Sequence, residues 1–230
     1  MKTSFIQKLS IALLCASPLA IAQVAPTDQG FTDVENLPGW VISNQSSPMG
    51  DSAWFQGSDQ QTIFIAQDGE PNSYIAANHR NTRSLAGTPG TICNYLIMPE
   101  LGNLESVSFY TRSRIANNNF TVFPDRLYMV YSPTGEINTG NCTDGFGDFT
   151  ETLLVINPDL SKSTDASVGY PLQTWQQFSA NIGGDGRVAF VYYVEDAGFY
   201  GNNSNYIGID SVQWVLSPTP VGPINFNPWK

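Results

Sequence analysis

A single histidine, His79, stands in a chain of 230 residues, and only 13% of the side chains are charged. A Ser-His-Asp constellation would therefore have one candidate base. His79 lies in Asn78-His79-Arg80-Asn81, which reads as a strand-to-loop exit, and no Gly-x-Ser-x-Gly elbow accompanies it. His-Glu-x-x-His, a phosphate-binding Gly-Lys loop and a dinucleotide fingerprint are missing too, so metalloprotease, nucleotide hydrolase and Rossmann readings lose their main support. Basic residues are scarce, 10 Lys and Arg against 20 Asp and Glu, for a formal net charge of −10. Such a surface repels phosphate backbones. Read along the chain it has no basic cluster to interrupt it, so nucleic acid is not an expected partner and divalent cations suit it better.

Long apolar runs are also lacking. Residues 1–22 carry Lys2 and Lys8, an apolar stretch from Leu9 to Leu19 broken by Ser and Pro, and Ala20-Ile21-Ala22 before Gln23. This is the pattern of a secretory signal with a small-x-small cleavage site. The stretch falls short of the roughly 20 residues a membrane span needs, which disfavours a retained anchor. Leu14 rather than a small residue precedes Cys15, which disfavours a lipoprotein signal. Removing the leader leaves 230 − 22 = 208 residues and a charge of 8 − 20 = −12. That length is ample for one all-β domain. The expected division is a signal peptide at 1–22, a β-sandwich at 23–216 and a proline-rich tail at 217–230, with no membrane span after signal removal.

Two of the three cysteines remain, Cys93 and Cys142, 49 positions apart. In an exported domain they are most simply one disulfide. The alternative, a cysteine zinc site, would need about four ligands in a chain with one His.

Amphipathic helical periodicity is nearly absent. Short runs rich in Ile, Val, Phe and Tyr recur instead, at 62–66, 74–77, 93–98, 106–111, 126–132, 152–156, 175–180, 187–194 and 206–216, each bounded by Gly, Pro, Asn or Asp. Many turn-punctuated strands without intervening helices predict an all-β, two-sheet sandwich. The composition, with 20 Gly, 15 Pro and 12% aromatic residues, favours turns and strands in the same way.

Motifs along the chain carry a resemblance: Asn36-Leu37-Pro38-Gly39-Trp40, Trp54-Phe55-Gln56-Gly57, Tyr74-Ile75-Ala76-Ala77-Asn78, Tyr110-Thr111-Arg112, Phe123-Pro124-Asp125-Arg126-Leu127, Gly147-Asp148-Phe149-Thr150, Leu153-Leu154-Val155-Ile156-Asn157-Pro158, Tyr170-Pro171 with Trp175, and the closing pair 186–198 and 206–212. In this order they resemble the choice-of-anchor J domain family, which is similar to the cleaved adhesin and MAM-type jelly rolls, over residues 30–216. The resemblance implies a jelly-roll β-sandwich, a bacterial exported module, and in most members a sorting tail. This sequence stops at Asn227-Pro228-Trp229-Lys230 without one, which implies a freely soluble periplasmic or secreted product.

Calcium follows from the same resemblance. First and last strands of a jelly roll lie side by side, so Asp33 and Asp210 are expected to approach each other, with Asp51 as a loop ligand, around a structural calcium. The competing reading has Asp33 and Asp51 capping turns and Asp210 bonding backbone. The loop Asn141-Cys142-Thr143-Asp144-Gly145-Phe146-Gly147-Asp148 lacks EF-hand spacing and reads as a glycine-rich turn tethered by the disulfide. Arg112 and Arg126 read as structural partners of a carboxylate such as Asp125 or Asp148.

Aromatic residues offer the other route to function. Trp54, Phe55, Phe199 and Tyr200 lie in or beside polar loops, where sugar rings could stack, and Asn202, Asn203 and Asn205 could add amide hydrogen bonds. The opposing reading is that these aromatics plug the ends of the sandwich. The expected function is an exported noncatalytic module, adhesin-like, that binds glycan or another cell-surface or extracellular polymer. The alternative is a secreted glycosidase-type hydrolase with a carboxylate pair in a cleft, one of strongly raised pKa.

Overall fold

The computed structural model describes residues 27–60, 63–114 and 122–217. The leader at 1–22 and nearly all of the tail at 217–230 lie outside the described residues. Eleven strands are present among the described residues: β1 Thr27–Gln29, β2 Val41–Asn44, β3 Phe55–Gln56, β4 Ile75–Asn78, β5 Gly90–Ile97, β6 Leu104–Ser113, β7 Leu127–Ser132, β8 Glu151–Ile156, β9 Gln176–Gly184, β10 Arg187–Ala197 and β11 Tyr206–Leu216. One antiparallel sheet runs β3-β4-β11-β6-β9, with β1 paired to the end of β11; the other runs β2-β5-β10-β7-β8. The fold is a two-sheet jelly-roll β-sandwich.

The sheets bury alternate residues against each other. Ile75, Ala77, Ile207 and Ile209 of the first sheet face Leu96, Val188, Phe190 and Tyr192 of the second in one apolar core. Phe109 on β6 and Phe190 on β10 join the layers edge to face at 4.7 Å. Aromatic pairs of this geometry add to the area they bury.

Both outer faces are partly covered as well, which explains why the apolar runs are nearly continuous rather than alternating. On the second sheet, Cys93, Tyr95, Val130 and Val191 lie beneath a loop that contributes Phe149 and Cys142. The Cys93–Cys142 disulfide, with Cα atoms 5.8 Å apart, clamps that loop. The Tyr95 hydroxyl donates to the Gly140 carbonyl beside it. On the first sheet, Phe64 packs against Tyr74, Trp175 and Tyr206. Gly208 floors this cluster, because a Cβ there would lie 2.8–2.9 Å from Trp175, Phe64 and Tyr74.

The run at 62–66 was expected to be a strand. Instead, residues 63–66 lie across the outer face of the first sheet, where Phe64 enters the aromatic cluster and the Ile65 carbonyl accepts from the Trp175 indole. The remaining predicted runs coincide with β4 to β11. Short β1, β2 and β3 carry too few apolar residues to announce themselves.

Candidate functional site

At one end of the sandwich, the β10–β11 loop meets the turn that follows β4. A short 3-10 turn, His79–Asn81, leaves β4, and the Asn78 side chain caps it by accepting from the Arg80 amide. Asn81 is fully buried and acts as a hub: its amide donates to the Ser52 hydroxyl and the Ala53 carbonyl, and its side-chain oxygen accepts from Asn94. The Pro48 carbonyl then accepts from the Thr82 hydroxyl and the Arg83 amide. Gly50 passes so close to the Arg80 carbonyl that a Cβ would sit 2.0 Å from it. These bonds fix the backbone under Arg80 and Arg83.

The opposite wall is the loop between β10 and β11. A bulge near the end of β10 puts Asp196 at φ 49°, and its carboxylate accepts from the Asn202 side chain at 2.7 Å. Asn203 donates to the Glu195 carbonyl and Asn205 to the Arg114 carbonyl. The Ser84 hydroxyl accepts from the Tyr200 amide and joins the two walls. Phe199 is 77% exposed and Tyr200 54%, and their rings meet edge to face at 5.1 Å.

Phe199 is the ridge between two adjoining clefts that share it and His79. One, of about 280 Å³, is bounded by Asp51, Arg80 and Arg83; the other, of about 370 Å³, by Arg114, Phe123 and Asn205. His79 lies under the ridge, its ring 6.5 Å from that of Phe199. Burial pushes its pKa below the usual histidine value, so it is neutral near pH 7. Asp51 accepts both Nε and Nη2 of Arg80, and this bidentate contact holds its carboxyl below the usual range.

Beneath the second cleft lies a sealed polar network. Asp125, 1% exposed, accepts from the Ser113 hydroxyl at 2.5 Å, the Tyr192 hydroxyl at 2.6 Å and the Asn205 amide at 2.8 Å. Burial nevertheless pushes its pKa up to about 6. Asp210, also fully buried, is pushed up to about 6 by desolvation while accepting from the amides of Gln67, Asp68 and Ser211.

Several expected site residues take other roles. Trp54 is a core residue, 4% exposed, its indole donating to the Asn94 carbonyl and its ring packed near Tyr192. Phe55 is half-buried against Tyr206 and borders a third cleft, of about 310 Å³, that shares Asp51 and Arg80 with the first. The side-chain N–H groups of Asn202 and Asn203 are engaged in holding their own loop.

The expected convergence of Asp33, Asp51 and Asp210 does not occur. The first and last strands do pair, Gln29 opposite Val212, but beyond β1 the chain turns across Gln56, and Asp33 accepts from the Glu35 amide in an exposed turn. Asp51 is satisfied by Arg80 and Asp210 by backbone. Among the described residues no three His, Cys, Asp or Glu side chains gather as a cation site. Arg112 lies over the Phe64 ring at 4.4 Å rather than on a carboxylate, whereas Arg126 pairs with Glu195 and not with Asp125.

The acidic surface is interrupted after all. Arg80, Arg83 and Arg114, which form no continuous basic run in the sequence, reach one end of the molecule. A signal existed: 80–83 and 112–114 hold four of the chain's ten basic residues.

No protein-family model and no curated protein matches the chain. Among solved structures, it is similar to the K2 cleaved adhesin domain of Lys-gingipain at 21% identity and TM-score 0.54, covering 84% of this chain and 99% of that one. It is also similar to the K3 domain from Porphyromonas gingivalis, at 14% identity and TM-score 0.52 over 83% of this chain and 99% of that one. The K1 domain from the same organism gives 19% identity and TM-score 0.50 over 85% and 100%. At these identities the likeness is one of fold: the chain has the β-sandwich of cleaved adhesin domains.

Proposed function

We propose that this protein is an exported, noncatalytic sandwich module of the choice-of-anchor J type that binds glycan through the two clefts flanking Phe199. The observation that carries this reading is the exposed Phe199–Tyr200 pair, in which Phe199 lines both clefts and the Tyr200 amide is anchored on Ser84 beside them. An aromatic face exposed to water, with only two side-chain torsions to fix, stacks on a sugar ring at little cost in conformational entropy. The disulfide supports an oxidising compartment, periplasmic or extracellular. A glycosidase would need two carboxylates across a cleft. Among the described residues the two clefts have one bordering carboxylate, Asp51, already tied to Arg80, and the two carboxylates of raised pKa are sealed in the interior.

The test is a glycan and matrix-polymer array on the mature protein, with hydrolysis assayed in parallel. Wild-type protein should retain a glycan without cleaving it, and Phe199→Ala with Tyr200→Ala should weaken retention at least about tenfold with an unchanged melting temperature. Retention of no glycan, or retention indifferent to both rings, would sink the reading.

A further inference from the structure

We infer that the paired clefts select acidic glycans whose charge is a carboxylate, that is, uronate-containing polysaccharides. This rests on the glycan reading and specifies its substrate class.

The charge of the site runs against that of the molecule. The chain carries a formal −10, yet Arg80, Arg83 and Arg114 border two clefts that share a single ridge. Asp51 pairs directly with Arg80 and also lies close enough to Arg83 to feel its charge. Arg83 and Arg114 form no ion pair among the described residues. His79 beneath them is held neutral by burial. Each cleft thus presents one guanidinium that is in no ion pair among the described residues, beside the same exposed phenyl ring.

Arg114 has an unsatisfied donor, as do Arg112 and Arg187 away from the clefts. Its Nε is buried and has no hydrogen-bond partner among the described residues, although the side chain borders the cleft. A buried donor left unpaired is costly, and such groups ordinarily have a partner. Its backbone is fixed, because the Arg114 carbonyl accepts from Asn205 at 2.7 Å and the Asn205 amide is anchored on Asp125. Arg83 is likewise placed by its backbone amide, which donates to the Pro48 carbonyl at 2.9 Å. A planar guanidinium whose backbone is fixed matches a carboxylate in a two-pronged contact.

The overall charge narrows the choice of polymer. Nucleic acid and densely sulfated chains bring closely spaced charges that the remaining acidic surface repels, and they need a basic stripe to offset this. One guanidinium per cleft, separated by a ring that can stack on a pyranose, fits a chain with a single carboxylate per sugar.

The test is titration of the disulfide-intact mature protein with oligogalacturonate, the matching neutral galactan oligomer, a sulfated polysaccharide and single-stranded DNA. Oligogalacturonate should bind best and weaken as salt is raised. Arg83→Gln and Arg114→Gln should each weaken it about tenfold, with no change in the melting curve. Arg83 is exposed, so its variant reports on binding even if the Arg114 variant is impaired in folding. Equal or better binding of the neutral oligomer, the sulfated chain or DNA overturns the inference. So does oligogalacturonate binding that ignores both arginines. Neutral binding lost with Phe199→Ala would overturn the inference and leave the glycan reading standing, whereas no binding to any glycan defeats both.

Discussion

Asp125 and Asp51 serve the same end of the sandwich and are driven in opposite directions. Asp125 sits in the floor, sealed from water, surrounded by three neutral donors and no cation, and its pKa rises to about 6. Asp51 sits on the rim, in water, gripped by Arg80, and its pKa falls. Desolvation prevails where no counter-charge is buried with the acid; the ion pair prevails where water already solvates both partners. The floor is therefore built for shape and the rim for charge. Floor residues tie β6, β10 and the segments before β7 and β11 into one piece. The rim ion pair is exposed to water and can open at little cost to the fold.

The largest expected effect comes from breaking the floor. Asp125→Ala leaves the Ser113 and Tyr192 hydroxyls and the Asn205 amide without their acceptor in a buried site. At roughly 1–3 kcal/mol for each stranded buried donor, partly relaxed, the loss should be about 4 kcal/mol. Urea unfolding measures it, and a loss below about 1 kcal/mol would mean that the network does not organise this end.

Next in size is a pH signature confined to the floor. An acid whose pKa rises on folding takes up a proton on folding between its unfolded value, about 3.9, and its folded value. Its contribution is therefore greatest below that window, falls as pH rises through it, and is constant above the folded value, about 6 for Asp125. The stability of wild type minus that of Asp125→Asn should fall by on the order of 3 kcal/mol between about pH 4 and about pH 7. Asp51 has the opposite sign, since a lowered pKa contributes stability that is lost on acidification. A flat difference curve for Asp125 would erase the distinction between floor and rim.

The smallest effect belongs to the rim. The Arg80 and Asp51 side chains are 62% and 55% exposed, so Arg80→Gln should leave the denaturation midpoint unchanged within error. A large loss would show that this pair is structural and does not open at little cost to the fold.

How much of this was legible follows from what each residue reports on its own. Apolar runs such as Val188–Val194 and Tyr206–Ile209 declare strands because burial leaves a local trace, whatever the partner strand. Cys93 and Cys142 declare each other because the third cysteine, Cys15, lies in the stretch that reads as an export signal. Ile63, Phe64 and Ile65 gave the same apolar signal and misled, since covering a sheet from outside and entering it demand similar side chains. Trp54 misled for the converse reason: polar neighbours in sequence conceal a buried place in space.

The sequence by itself determined the sandwich class, most of its long strands, the disulfide pair and the acidic balance, all properties that rest on local composition or simple counting. Only the tertiary structure decided the site. Arg83, Arg114 and Phe199 come from distant loops that carry no periodicity. They meet because strand register and buried bonds such as Asn205 to Asp125 bring those loops to one end. Asp33 misses Asp210 for a tertiary reason too: β1 ends at Gln29 opposite Val212, and the chain then turns across Gln56 and leaves Asp33 in an exposed turn.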